Sequence, residues 1–183
     1  MHGIVMKALK DFVVEEYDAG TWRAIQEEAG LGGKLYVPVS EYDDVEALAL
    51  VGAASELSGE DQSDLLYAFG QYIVDPLVST YGVHVDGEWT GLDLLANVET
   101  YIHEALRSKR LSEFTPPELQ AERVDEDVAV VRYGSDRELC DLAEGIVDGV
   151  GAYYGEAYDV THDTCMKQGD PHCDLVVRHV PVE

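Results

Sequence analysis

Basic residues are scarce in this sequence: 12 Lys and Arg stand against 37 Asp and Glu, a formal charge of −25 over 183 residues. That shortage excludes a protein that grips free nucleic acid by its backbone, because such binding depends on Lys and Arg displacing counterions. It disfavours an anionic membrane surface for the same reason. Long apolar runs are missing too, since nothing approaches the ~20 residues a membrane span needs. The opening MHGIVMKALKDF lacks the layout of a signal peptide. These absences lead to the expectation of a soluble, cytoplasmic protein. Cysteines number only three, an odd count that argues against a disulfide framework and leaves metal or thiol chemistry open.

What is present suffices for a core. Hydrophobic residues make up 46% of the chain, enough for one domain spanning 1–183. The first part, 1–112, reads as helix. Ile4, Val5, Leu9, Phe12 and Val13 recur at helical spacing. Asp18-Ala19-Gly20-Thr21 breaks that helix, with Thr21 placed to cap a second over Trp22 to Ala29. A third is expected over Val45 to Leu57 and a fourth from Ser63 to about Tyr81, where Pro76 predicts a kink or a break. A fifth runs from Gly91 to about Ser108. From 113 to 183 the period changes. Short strands are expected at Leu119–Val124 and Val128–Tyr133, then a helix over about Arg137 to Tyr153. Two more strands follow near Ala157–Asp163 and Asp174–Val180. The expected fold class is α+β: an N-terminal helical part, then a four-stranded antiparallel sheet with one long helix.

Three constellations could carry chemistry. The first is His103 in the fifth helix. Eleven residues of helix return to within ~20° of the starting direction, so His103 points nearly where Leu92 points, with Ala96 beside it and Leu106 about 60° away. Glu99 is the one charged exception on a mostly apolar face. Such a histidine suits an iron ligand in a dry pocket, and it equally suits a core histidine bonded to a carbonyl. The second is Tyr133, Ser135 and Arg137, which project from one side of an extended chain and offer two hydroxyls and a guanidinium to carboxylates. A strand end with Ser135 capping the next helix fits the same residues. The third is Cys140 with His162, Cys165 and Cys173, a Cys₃His set suited to tetrahedral zinc in a closed, structural site. His172 rivals His162 as a ligand, and three buried apolar thiols are the plain alternative. His2, His84 and His179 fall near ends or turns and are expected to be solvated. The acidic pairs, Asp43-Asp44 among them, read as solvated faces.

Together these features resemble the haem-nitric oxide/oxygen binding (H-NOX) family, related to the sensor domain of soluble guanylate cyclase. The resemblance rests on Met1-His2-Gly3-Ile4-Val5, Trp22-x2-Ile25 with Ala29-Gly30, Leu66-x2-Phe69-Gly70, Ile102-His103-x2-Leu106, Thr115-Pro116-Pro117 and Tyr133-x-Ser135-x-Arg137. It implies a haem b whose proximal ligand is His103, with Tyr133, Ser135 and Arg137 on the propionates and Pro117 pressing on the porphyrin. The Cys/His set is similar to that of zinc-carrying bacterial members. Oxygen-binding members carry a distal tyrosine nine residues after the propionate tyrosine, and here that position is Leu142. Val5, Leu9 and Ile146 are its expected neighbours, with Leu106 also in the pocket, and none carries a donor. Bound oxygen gains from a donor far more than NO does, so the resemblance implies NO and CO binding with poor O₂ binding. It also implies that NO weakens the iron–His103 bond, which frees the fifth helix to move and relaxes the porphyrin. No output module is recognisable. The expected reader is therefore a separate signalling protein: a histidine kinase, a cyclic-nucleotide enzyme or a chemotaxis-type transducer. Rival readings are a thiol-redox sensor of the same fold, a zinc enzyme with an open coordination position, and a haem-free interaction domain.

The acidic excess is dispersed along the chain, so self-repulsion would destabilise a compact fold at low salt and a high-salt cytoplasm would screen it. A halophilic source is the expectation. The melting temperature should rise between low and molar KCl; a flat response would refute that source.

Overall fold

The computed structural model describes residues 1–82, 85–100 and 117–181. Four helices come first: α1 (Gly3–Glu16), α2 (Ala19–Glu28), α3 (Asp44–Ser58) and α4 (Gln62–Tyr81). A short α5 (Gly91–Val98) precedes the sheet, which is built from β1 (Glu118–Asp125), β2 (Val128–Gly134), β3 (Ala157–Thr164) and β4 (Cys173–Val180). A long α6 (Cys140–Tyr154) crosses between β2 and β3. All pairings are antiparallel, in the order β1-β2-β4-β3. The α+β arrangement expected from the periodicity change is the one found.

Local chemistry explains most boundaries. Asp18, and not Thr21, caps α2: its Oδ1 accepts from the backbone N–H groups of Gly20 and Thr21 at 2.6 and 2.8 Å. A carboxylate directly ahead of the first turn reaches two backbone donors that the Thr21 hydroxyl, already inside the helix, does not. Gly59 ends α3 at φ 77°, a conformation glycine adopts without steric cost. Thr90 and Asp93 form a reciprocal capping box at the start of α5. Pro76 does not break α4, which runs on to Tyr81. The helix tolerates the missing N–H near its end, where Thr80 Oγ1 donates back to the Pro76 carbonyl at 2.8 Å. α6 begins at Cys140, three residues later than expected, because Ser135 to Glu138 forms a turn and Glu138 takes φ 50°. Ser135 is therefore no helix cap.

Two apolar cores result. One lies between the sheet, α5 and α6, where Ala129, Val131 and Tyr133 of β2 alternate inward and meet Val177, Leu175 and Cys173 of β4 in register. The other lies among α1 to α4 around Met6, Leu50 and Ile73. Leu142 and Ile146, one turn apart on α6, pack against both. The two halves are locked where α4 meets α6. A Cβ on Gly70 would stand 2.5 Å from the Leu142 carbonyl oxygen, and one on Gly149 would stand 2.7 Å from that of Gln71. A Cβ on Gly145 would overlap the carbonyl oxygen of Tyr67. Gly145→Ala should therefore cost about 3 kcal/mol, read as a lower urea midpoint at unchanged slope; a neutral result would show that the helices can part.

Candidate functional site: an apolar cavity between the two cores

A cavity opens at the seam, with about 1490 Å³ of atom-free space when its open mouth is included. Its enclosed interior is about 240 Å³, continuous with the open mouth. Val5 comes from α1, Ile73 and Leu77 from α4, Leu94 and Val98 from α5, Leu142 and Ile146 from α6, and Val131 from β2. Each sits on the inward face of its element, and their combined wall is overwhelmingly hydrocarbon. Pro117 lines it just ahead of β1.

The polar groups gather at one edge. Tyr133 is buried at the end of β2, and desolvation raises its pKa, which keeps the phenol neutral and able to donate. Arg137 follows in the turn, with a side chain only 15% exposed. Its backbone N–H donates to Ser135 Oγ at 3.3 Å and its Nη1 to the same oxygen at 3.4 Å. Its Nε stands 2.7 Å from Asp44 Oδ2 at the first turn of α3. Asp44 Oδ1 in turn accepts from the N-terminal ammonium of Met1 at 2.6 Å. Burial alone would raise the Asp44 pKa, but hydrogen bonds from that ammonium and from Arg137 outweigh it and hold the carboxylate below its ordinary value. One carboxylate thus ties the helical half to the turn after β2.

The sequence-derived candidates distribute as follows. Val5, Pro117, Tyr133, Arg137, Leu142 and Ile146 line this cavity. Ser135 supports Arg137 without lining it. Leu9 does not line it: one turn beyond Val5, it faces a second cavity among α1 to α4. His103 and Leu106 lie outside the described residues, as does His84. His2, expected to be solvated, instead lines the cavity as the cap of α1, its Nδ1 accepting from the Ile4 N–H at 3.4 Å. Burial lowers its pKa, opposed by Glu41 and aided by the N-terminal ammonium, so the ring is neutral at pH 7. His179 is half-buried against the Tyr158 ring. Tyr81 also lines the cavity and carried no signal in the spacing, and Asp44 was hidden among many acidic pairs.

The cysteines converge under the N-terminal end of α6, beside the Tyr133 end of β2. Cys140 is its first residue, Cys173 the first of β4, and Cys165 follows β3. All three are buried, their sulfurs lie within 4.8 Å of one another, and Cys140 and Cys173 Sγ are 3.0 Å apart. Thiolates 2.3 Å from one zinc would stand about 3.8 Å apart, so this group needs only a small spread to hold an ion. Desolvation, with the neighbouring sulfurs, pushes the Cys140 thiol up to about 12. His162 is not in the group. The ladder shifts register between His162 and Thr164, and its Nε2 meets Glu144 Oε2 of α6 at 2.9 Å, one turn past Cys140. His172 is turned to Asp174, at 3.4 Å. Of the Cys₃His set, the three cysteines thus stand together, while His162 and the rival His172 are each paired with a carboxylate.

Removing the Asp44 charge gives a signed test. Its depressed pKa means that its stabilisation is present above the ordinary carboxylate range and is lost as pH falls through the folded-state value. Asp44→Asn should destabilise at pH 7 by about 1 kcal/mol, given its partial exposure. The gap from the parent should close in melts below about pH 4; a pH-independent gap would show that the pair is not ionic.

A profile of the family described as Haem-NO-binding matches residues 2–162. No curated protein matches in sequence. Among solved structures, an H-NOX protein from S. oneidensis in the Fe(II)NO ligation state superposes with a TM-score of 0.90 at 26% identity, covering 99% of this chain and 100% of that one. The H-NOX domain of Shewanella oneidensis in the Fe(II)CO ligation state gives 0.87 at 26%, with 100% of both chains covered. An unliganded Fe(II) H-NOX protein from K. algicida gives 0.83 at 15%, a likeness of fold, over 100% of this chain and 98% of that one. With this fold and a family match across most of its length, the chain belongs to the Haem-NO-binding family, whose domains are sensors and not enzymes.

Proposed function

We propose that the chain holds haem b in the apolar cavity and senses a diatomic gas there, binding NO and CO at ferrous iron and O₂ poorly. The observation that carries this reading is a hydrocarbon-walled cavity with a phenol and a guanidinium at one edge, in a chain of this family. The Fe(II)NO and Fe(II)CO states of the S. oneidensis relatives support the choice of gases. Bound haem supplies iron with a coordination position for the gas; the chain supplies everything else. His103 is assigned as the protein ligand and Leu106 to the same wall, both in the segment that follows α5. Tyr133, Ser135 and Arg137 are assigned to the propionates, which a neutral phenol, a hydroxyl and a guanidinium hold by charge-assisted bonds. The 2.7 Å contact of Arg137 with Asp44 supports this, because the side chain already holds a carboxylate at that edge. Pro117 is assigned to pressing on the macrocycle. Val5, Leu142 and Ile146 bring no donor to the gas, and Leu9 backs that wall from one turn away.

A signal passes only if the gas-bound and gas-free forms differ in affinity for a reader. We assign that reader to a separate histidine kinase, cyclic-nucleotide enzyme or chemotaxis-type transducer, acting with a single cytoplasmic sensor domain (1–183) from a halophile. Among the described residues no helix is long and apolar enough to cross a membrane. Zinc is the inferred tenant of Cys140, Cys165 and Cys173, with a fourth ligand from outside the trio, bracing α6 against the sheet. The burial of all three sulfurs favours that role over a thiol-redox sensor, because an oxidant in solution has poor access to them.

Haem-reconstituted protein should show a ferrous Soret band that shifts with NO and CO, and no stable oxy spectrum in air. His103→Gly should keep its far-UV circular dichroism and lose that band. A normal haem spectrum in the variant would refute the ligand assignment, and a stable oxy complex in the parent would refute the gas preference.

A further inference from the structure

The second cavity, among α1 to α4, has an interior of about 250 Å³, against about 240 Å³ for the first by the same measure. The two share no lining residue. They are stacked along α1 and α4: Val5 and Ile73 line the first, and one turn away Leu9 and Phe69 line the second. Its deep wall is formed by Leu9, Val13, Trp22, Ile25, Leu50 and Phe69, all buried. At the mouth stand Tyr17 and Leu57, 53% and 52% exposed, with the hydroxyls of Thr21 and Ser58.

None of the 15 lining residues is charged, in a chain where 27% are. The chamber wall itself therefore carries none of the acidity that covers the rest of the molecule. A void of this size forfeits packing that natural cores seldom give up. Water would find few hydrogen-bonding partners against the deep wall. An anion would be repelled by the net charge of −25 and meet no cation in the wall, and a cation would meet no carboxylate there.

We propose that this chamber is a binding site for a neutral, largely apolar small molecule, an aromatic bicycle with at most one hydrogen-bonding group. A cavity of roughly 150 Å³ takes benzene, so this one has room for a guest of about ten non-hydrogen atoms by the same scaling. Deep aromatic faces from Phe69 and Trp22 stack or edge against such a ring. The hydroxyls at the mouth take its single N–H or O–H. Apolar Leu57 and Tyr17 form the entrance.

The test is a titration of the haem-loaded full chain with indole, followed by methyl NMR, with indole-3-carboxylate as the charged control. Indole should give saturable shifts with a Kd of about 0.1–1 mM, at Leu9, Val13, Leu50 and Leu65 and not at Val5 or Ile146. The carboxylate should bind at least tenfold more weakly. Ala54→Phe, which fills the chamber, should abolish binding while the visible spectrum stays as in the parent. Should that variant fail to fold, Ser58→Trp, which closes the exposed mouth, decides in its place. Shifts that never saturate, binding that survives the blocking variant, or shifts centred on Val5 and Ile146 would overturn the proposal. None of these outcomes depends on which gas the first cavity prefers.

Discussion

The structure depends on how closely α4 and α6 approach. Gly70, Gly145 and Gly149 remove three side chains from that contact, so carbonyl oxygens of one helix sit against the bare backbone of the other. Any methyl group there would force the axes apart. Since α4 belongs to the helical half and α6 to the sheet half, this contact sets the distance between the two cores. It also sets the width of the cavity, because Leu142 and Ile146 project into it from the same stretch of α6. A flat guest needs walls held at a constant spacing, and backbone-to-backbone contact is stiffer than any interleaving of flexible side chains.

Electrostatics complete what packing begins. In a chain with so few cations, Arg137 sits at a cavity edge, joined through Asp44 to the N-terminal ammonium. The carboxylate pairs with two cations at once, and its position in the first turn of α3 adds the favourable end of that helix's dipole. The arrangement gives the helical half a polar connection to the turn after β2, separate from the glycine contact. Two connections of different chemistry respond differently to conditions, since ionic attraction weakens with salt and close packing does not.

Much of this was legible in the residues. Helical spacing marked α1 to α4, short stretches bounded by turns marked the strands, and the three cysteines fall at the start of α6, just after β3 and at the start of β4. The failures have physical causes. Asp18 captured two donors ahead of Thr21, which composition alone did not rank. Glu138 in the left-handed region delayed α6, and no spacing rule anticipates such a backbone at a non-glycine residue. Leu9 lay on the expected face of α1, but periodicity assigns a face and not the partner it meets. His162 meets Glu144 across a register shift and apart from the sulfurs, a partner that residue spacing does not reveal. Asp44 and His2 were indistinguishable from neighbours of the same type until long-range contacts were known.

The depth of the three sulfurs bears on how they could ever react. Cys140, Cys165 and Cys173 are 2%, 8% and 0% exposed, beneath α6 and the short connection from β3 to β4. A chelator, alkylating agent or oxidant in solution meets them only during moments when that connection lifts. For a reagent that reacts faster than the connection recloses, the observed speed would measure how often the connection opens, independent of the reagent's own strength. Thiol labelling would thus serve as a clock for local opening at this end of the sheet.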